Sequence, residues 1–136
     1  MATFRKHEHL KSRRIIDELM KKGASVTMQP LKLIWMEAPL ETKVPAQVAF
    51  GVSKKNFPLA VDRNRIKRQM RECYREHKNK LYDFLNASGK QYAIMLVFTS
   101  KKQPSFNELM LKYAVTLQRL EKDIKQDSKQ HNDSAD

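Results

Sequence analysis

The stretch Lys54-Lys55-Asn56-Phe57-Pro58-Leu59-Ala60-Val61-Asp62-Arg63-Asn64-Arg65-Ile66-Lys67-Arg68-Gln69-Met70-Arg71-Glu72-Cys73-Tyr74-Arg75-Glu76-His77-Lys78-Asn79-Lys80 sets a basic loop against a basic helix. Lys54 to Ala60 reads as a loop because Pro58 interrupts it, and Asp62 to about Lys78 reads as a long helix. At about 100° per residue, Ile66, Met70, Cys73 and His77 form one narrow apolar stripe that must face a core. Arg65, Arg68 and Arg75 on one flank, and Arg63, Lys67 and Arg71 on the other, are then forced outward. The stretch holds ten basic residues against Asp62, Glu72 and Glu76. Pairs such as Arg68 with Glu72, or Arg75 with Glu72 or Glu76, offset the repulsion by only a few tenths of a kcal/mol each. Arginine outnumbers lysine on the helix, and its planar fork suits bidentate phosphate contacts and base stacking. That preference argues against a merely solvated face.

The whole chain carries a formal net charge of +12 over 136 residues, so a polyanion is the expected partner. Nucleic acid fits better than an anionic membrane surface, which calls for a basic amphipathic helix with large exposed apolar side chains. Cys73 is the single cysteine, which excludes an internal disulfide and suits a reducing compartment. The longest apolar run, Tyr92 to Phe98, is too short to span a bilayer, and no apolar segment follows the basic residues near Met1. A cytoplasmic protein is expected.

Outward from the central helix, Ser12 to Lys22 predicts a first helix. Ser12 caps it, Ile15, Ile16, Leu19 and Met20 recur at helical spacing, and Gly23 stands where a left-handed stop belongs. Val26 to Met36 predicts one strand with Leu31, Leu33 and Trp35 on one face, Lys32, Ile34 and Met36 on the other, and an irregularity at Pro30. Pro39 to Pro45 is a turn region, Ala46 to Ser53 a second strand, Ser88-Gly89 a turn and Tyr92 to Phe98 a buried strand. Ser105-Phe106-Asn107-Glu108 is a capping box opening a last helix through Leu109, Met110, Tyr113, Leu117, Leu120 and Ile124. The order αββαβα makes one α+β domain over residues 1–125, with helices over a small sheet. Residues 126–136 are expected to be a frayed polar tail.

Gly51-Val52-Ser53-Lys54-Lys55, a short loop, and then Arg63-Asn64-Arg65-Ile66-Lys67-Arg68-Gln69-Met70-Arg71-Glu72 resemble the signature of the bacterial ribonuclease P protein family, whose hallmark is the RNR motif. The resemblance covers about Leu10 to Leu120. It implies a two-layer αββαβα sandwich like the second domain of ribosomal protein S5, with a left-handed βαβ crossover. It implies a protein that binds a large catalytic RNA, while that RNA and its Mg²⁺ cut the 5′ leader from precursor tRNA. Lys54, Lys55, Arg63, Asn64, Arg65, Lys67, Arg68 and Arg71 would meet the catalytic RNA. A cleft between the first helix and the sheet would hold the single-stranded leader, with Ile16, Met20, Lys32 and Ile34 as its candidate lining. Many members carry two aromatic residues where this chain has Ile16 and Met20, so leader contacts here would be weaker or lean more on charge. A single copy would act in the assembly, with no membrane partner.

No catalytic arrangement of side chains is expected. His7 and His9, two apart, fit a solvated segment better than a metal site; His77 and His131 lack a carboxylate pair for acid–base work. Cys73 reads as core, Trp35 as core or cleft wall, and Asp62 as a helix cap. Two other classes remain at this point. A structural RNA-binding protein of ribosomal type has the same composition, and a DNA-binding regulator would need a helix aimed at base edges.

Overall fold

A computed structural model describes the backbone of residues 6–134 and the side chains of residues 6–127. A short 3-10 turn, Lys6–Glu8, leads into helix α1, Arg13–Lys22. Strands β1, Ala24–Met28, β2, Leu31–Glu37, and β3, Ala46–Val52, follow; then come helix α2, Ala60–Ser88, strand β4, Tyr92–Phe98, and helix α3, Phe106–Ser134. The fold is mixed α+β around a four-stranded sheet in the order β1-β2-β4-β3.

The sheet has one strand more than the sequence pattern predicts. Val26 to Met36 is a hairpin, not a single strand: β1 and β2 pair antiparallel from Ala24↔Trp35 to Met28↔Leu31, turning at Gln29–Pro30, whose peptide is cis. Pro30 has no N–H to give a ladder, so the turn falls there. The two faces of β2 are as expected. Leu31, Leu33 and Trp35 join the main core under α2 and α3, and Ile34 belongs to a smaller core under α1. Helices therefore cover both sheet faces, with α1 forming a partial third layer. β3 and β4 are parallel, from Ala46↔Tyr92 to Val52↔Phe98, and α2 is the crossover between them.

Ser12 caps α1 as predicted, its Oγ accepting from the Ile15 N–H at 3.3 Å. Gly23 ends the helix for a different reason than a left-handed turn. Its backbone is extended at φ −66°, and a Cβ there would lie 2.5 Å from the Leu19 carbonyl oxygen and 2.6 Å from Ile34 Cγ2. Close approach of helix to sheet demands the glycine. α2 runs ten residues beyond Lys78 because Leu81 and Leu85 continue its buried stripe; it stops at Gly89, whose φ of 71° is left-handed. Ser105 Oγ accepts from the Glu108 N–H at 3.5 Å, forming that half of the expected box. The polar segment from Gln126, expected to fray, stays helical to Ser134; residues 135 and 136, like Met1 to Arg5, lie outside the described residues.

Candidate nucleic-acid interface

The start of α2 is held by its own side chains. Leu59 occupies the N-cap position without a side-chain hydrogen bond, so Asp62 is not the cap. Asp62 sits in the first turn, where its charge favours the positive helix end, and its Oδ1 accepts from Gln103 Nε2 at 3.2 Å. Arg65 Nη1 donates to the other end of the same amide, Gln103 Oε1, at 3.5 Å. Arg63 turns back on the preceding loop, its Nη1 donating to the carbonyl oxygens of Phe57 at 2.9 Å and Pro58 at 2.7 Å. Half-buried Arg63 is thus a loop fastener as well as a basic group.

Asn64, Arg65 and Arg68 are exposed, while Lys67 and Arg71 are half-buried on the flanks. Arg75 pairs with Glu72 and, at 3.8 Å, with Glu76. Among the described residues Glu72 therefore neutralises Arg75 rather than Arg68. That leaves the first three turns of α2 more positive than the local-pair pattern predicts. Lys54 and Lys55 are exposed on a tight loop in which Ser53 Oγ accepts from the Lys55 N–H at 3.2 Å.

A second basic loop joins this face. Because β3 and β4 are parallel, the loops that follow them leave the same end of the sheet. Asn56 Nδ2 donates to the Thr99 carbonyl oxygen at 3.4 Å, and Gln103 ties the far side of that loop to α2. Exposed Lys101 and Lys102 lie between these two fastenings. The residue pattern alone does not mark them; the parallel pairing that brings them here is visible only once the strand order is known.

The buried stripe of α2 is Ile66, Met70, Cys73, Tyr74, Leu81 and Leu85. His77 is only half-buried, its ring stacked on Tyr113 with centroids 6.5 Å apart. Burial, and then Glu72 and Glu76, push the Cys73 thiol up to about 12, which fits an inert core residue and not a nucleophile. Lys78 does not belong to the outward-facing charge. It is 7% exposed, and its Nζ lies 2.7 Å from Glu8 Oε1.

On the α1 side the four expected cleft residues separate. Met20 is 58% exposed and Lys32 is exposed, Ile16 is half-buried, but Ile34 at 7% exposure is packed beneath α1 as core. His7 is exposed, as a solvated residue would be, and His9 is half-buried, but their segment is tied to the domain. Gln47 Nε2 donates to the His7 carbonyl oxygen at 2.9 Å, and His9 bridges to Val48 alongside β3. They line a cavity of about 640 Å³ with Lys6, Lys11, Arg14 and Glu41 at the start of α1. Burial, followed by the charges of Lys11 and Arg71, lowers the His9 pKa, against an opposing pull from Glu8.

The sequence profile of the Ribonuclease P family matches residues 4–121. The chain belongs to the ribonuclease P protein family. A ribonuclease P protein component from Chlorobium phaeobacteroides is 38% identical over 117 residues, covering 79% of this chain and 80% of the relative. One from Porphyromonas gingivalis is 32% identical over 107 residues, covering 77% and 78%. In fold, the chain resembles the RNase P protein of Staphylococcus aureus with a TM-score of 0.67 at 22% identity, over 85% of this chain and 96% of that one. The Thermotoga maritima RNase P protein gives 0.66 at 21% identity, over 82% and 96%. The ribonuclease P match spans both loops and the whole helix stretch quoted at the outset, so family and charge pattern meet on the same residues. Among the described residues, no helix is long and apolar enough to cross a membrane.

Proposed function

We propose that this chain is an RNA-binding subunit of a ribonuclease P assembly in the cytoplasm, gripping the catalytic RNA through the start of α2 and guiding the 5′ leader of precursor tRNA along α1. The observation that carries this reading is the exposed trio Asn64, Arg65 and Arg68 beside Lys54 and Lys55, in a chain of this family. Lys67, Arg71 and the half-buried Arg63 flank the trio, and Lys101 and Lys102 extend it. Basic groups spread along and around a helix suit the phosphates of a folded RNA, each neutralised phosphate releasing counterions. Exposed Met20, with Ile16 beside it and Lys32 on the sheet, offers an apolar rest for unpaired bases and a charge for their backbone. No side chain takes a catalytic role in this account. Mg²⁺ held by the RNA would supply the hydrolytic chemistry, and the protein would act as one copy.

Purifying the chain from its own cells and sequencing the RNA that comes with it tests this reading. The catalytic RNA of ribonuclease P and precursor tRNA should dominate. Ribosomal RNA in their place would favour a purely structural RNA-binding protein.

A further inference from the structure

Glu8 and Lys78 form a buried ion pair across 70 residues of sequence, with exposures of 4% and 7%. Lys78 Nζ also lies 5.6 Å from the centre of the Tyr82 ring, and the Tyr82 hydroxyl is 3.1 Å from that of Tyr74. Taking two charges out of water is costly, and an apolar pair of similar volume generally gives equal or greater stability. What such a pair supplies in return is a defined position, because a misplaced partner leaves a bare buried charge.

The position it defines lies between two basic surfaces. Glu8 ends the 3-10 turn. Directly after it His9 bridges to Val48, the Leu10 N–H donates to the Val48 carbonyl oxygen at 3.0 Å, and Leu10 enters the core under α1. The segment therefore passes around the β3 edge, from the face covered by α2 to the face covered by α1. On its far side it carries Lys6, His7, His9 and Lys11, which meet Arg14 at the cavity beside α1. On its near side it is joined to the helix of Arg65 and Arg68.

We propose that Glu8 and Lys78 are positioning residues whose pair fixes the N-terminal segment in register with α2, so that the basic cavity at the start of α1 stands at a set distance from the arginine face. The inference rests on the function proposed above. It adds that the leader, running along α1 from Met20, reaches this basic cavity, and that the cavity is placed by the same helix that grips the catalytic RNA.

The test replaces both residues together, Glu8→Met with Lys78→Met, in the full chain assembled with the catalytic RNA. Removing both charges avoids the lone buried charge that either single change would leave. Folding and affinity for the catalytic RNA should be preserved. KM for leader-bearing precursor should rise about ten-fold relative to a substrate with a minimal leader, at unchanged kcat. Hydrogen exchange at the Leu10 amide, measured without RNA, should speed by a similar factor. A leader effect within about two-fold of wild type would overturn the positioning of substrate, whatever the exchange rate. A wild-type assembly blind to the leader would overturn the leader reading instead. In that case unchanged Leu10 exchange in the double variant would also refute the pair's hold on the segment, and faster exchange would sustain it.

Discussion

Arg63 closes the loop in front of its own helix, its Nη1 2.7 Å from the carbonyl oxygen of Pro58. That bond is exposed, but the same group also donates to the partly buried Phe57 carbonyl oxygen at 2.9 Å, and the two together contribute about 1–2 kcal/mol. Arg63→Ala should therefore lower stability by about that much in urea unfolding. Arg65→Ala and Arg68→Ala, on exposed sites, should change it by less than about 0.5 kcal/mol. Equal stability losses at all three positions would contradict this division.

The same exposed arginines should show themselves through salt. For every phosphate that a variant no longer neutralises, the log–log slope of RNA affinity against salt flattens by roughly 0.7–0.9. Replacing Arg65 and Arg68 together should flatten the slope by up to twice that, read by filter binding to the catalytic RNA. An unchanged slope would mean that neither side chain touches phosphate.

Met20 stands 58% exposed on α1, so enlarging it does not disturb the core. Met20→Phe should tighten leader-bearing precursor relative to mature tRNA by ~1 kcal/mol through stacking on an unpaired base. The ratio of the two dissociation constants reads this directly, and no change would remove Met20 from the leader surface.

His9 is held below its usual pKa by burial and by Lys11 and Arg71. The folded state thus resists its protonation: the associated stability is complete above the unfolded-state value and is lost as pH falls through the lower folded one. An imidazole NMR titration should place its midpoint below 6.5, the ordinary value, in the free protein. Phosphate entering the cavity should move it upward. A midpoint unmoved by bound precursor would argue that no phosphate comes near.

Cys73, with its thiol pushed up to about 12, should ignore thiol reagents at pH 8 in the folded chain and react only on unfolding. Rapid labelling of native protein would contradict its burial.

Much of the fold is legible in residue order, because a single apolar period marks most elements. The alternation of Leu31, Leu33 and Trp35 gives the faces of β2, and the stripe from Ile66 to Cys73 aims the arginines. What stays hidden has physical causes. Val26 and Met28 stand on even positions while Leu31, Leu33 and Trp35 stand on odd ones, so the alternation changes phase at Gln29–Pro30; with no glycine or asparagine to mark a turn, that break reads as a mere irregularity. The basic run ending at Lys80 masks Leu81 and Leu85, so α2 reads as shorter than it is. Helical phase also cannot show that Lys78 is buried, since its partner Glu8 comes from the opposite end of the domain. Lys101 and Lys102 join the basic face only through the parallel pairing of β3 with β4. Ile34 lies on the expected side of the sheet, but α1 covers it.

The most direct measurement of the central claim is cleavage of precursor tRNA by its cognate ribonuclease P RNA at low Mg²⁺, with and without the purified chain. Wild-type protein should stimulate cleavage strongly, and Arg65→Ala with Arg68→Ala should reduce that stimulation at limiting protein and regain it at higher protein concentration. No stimulation by the folded wild-type chain at any concentration would contradict it.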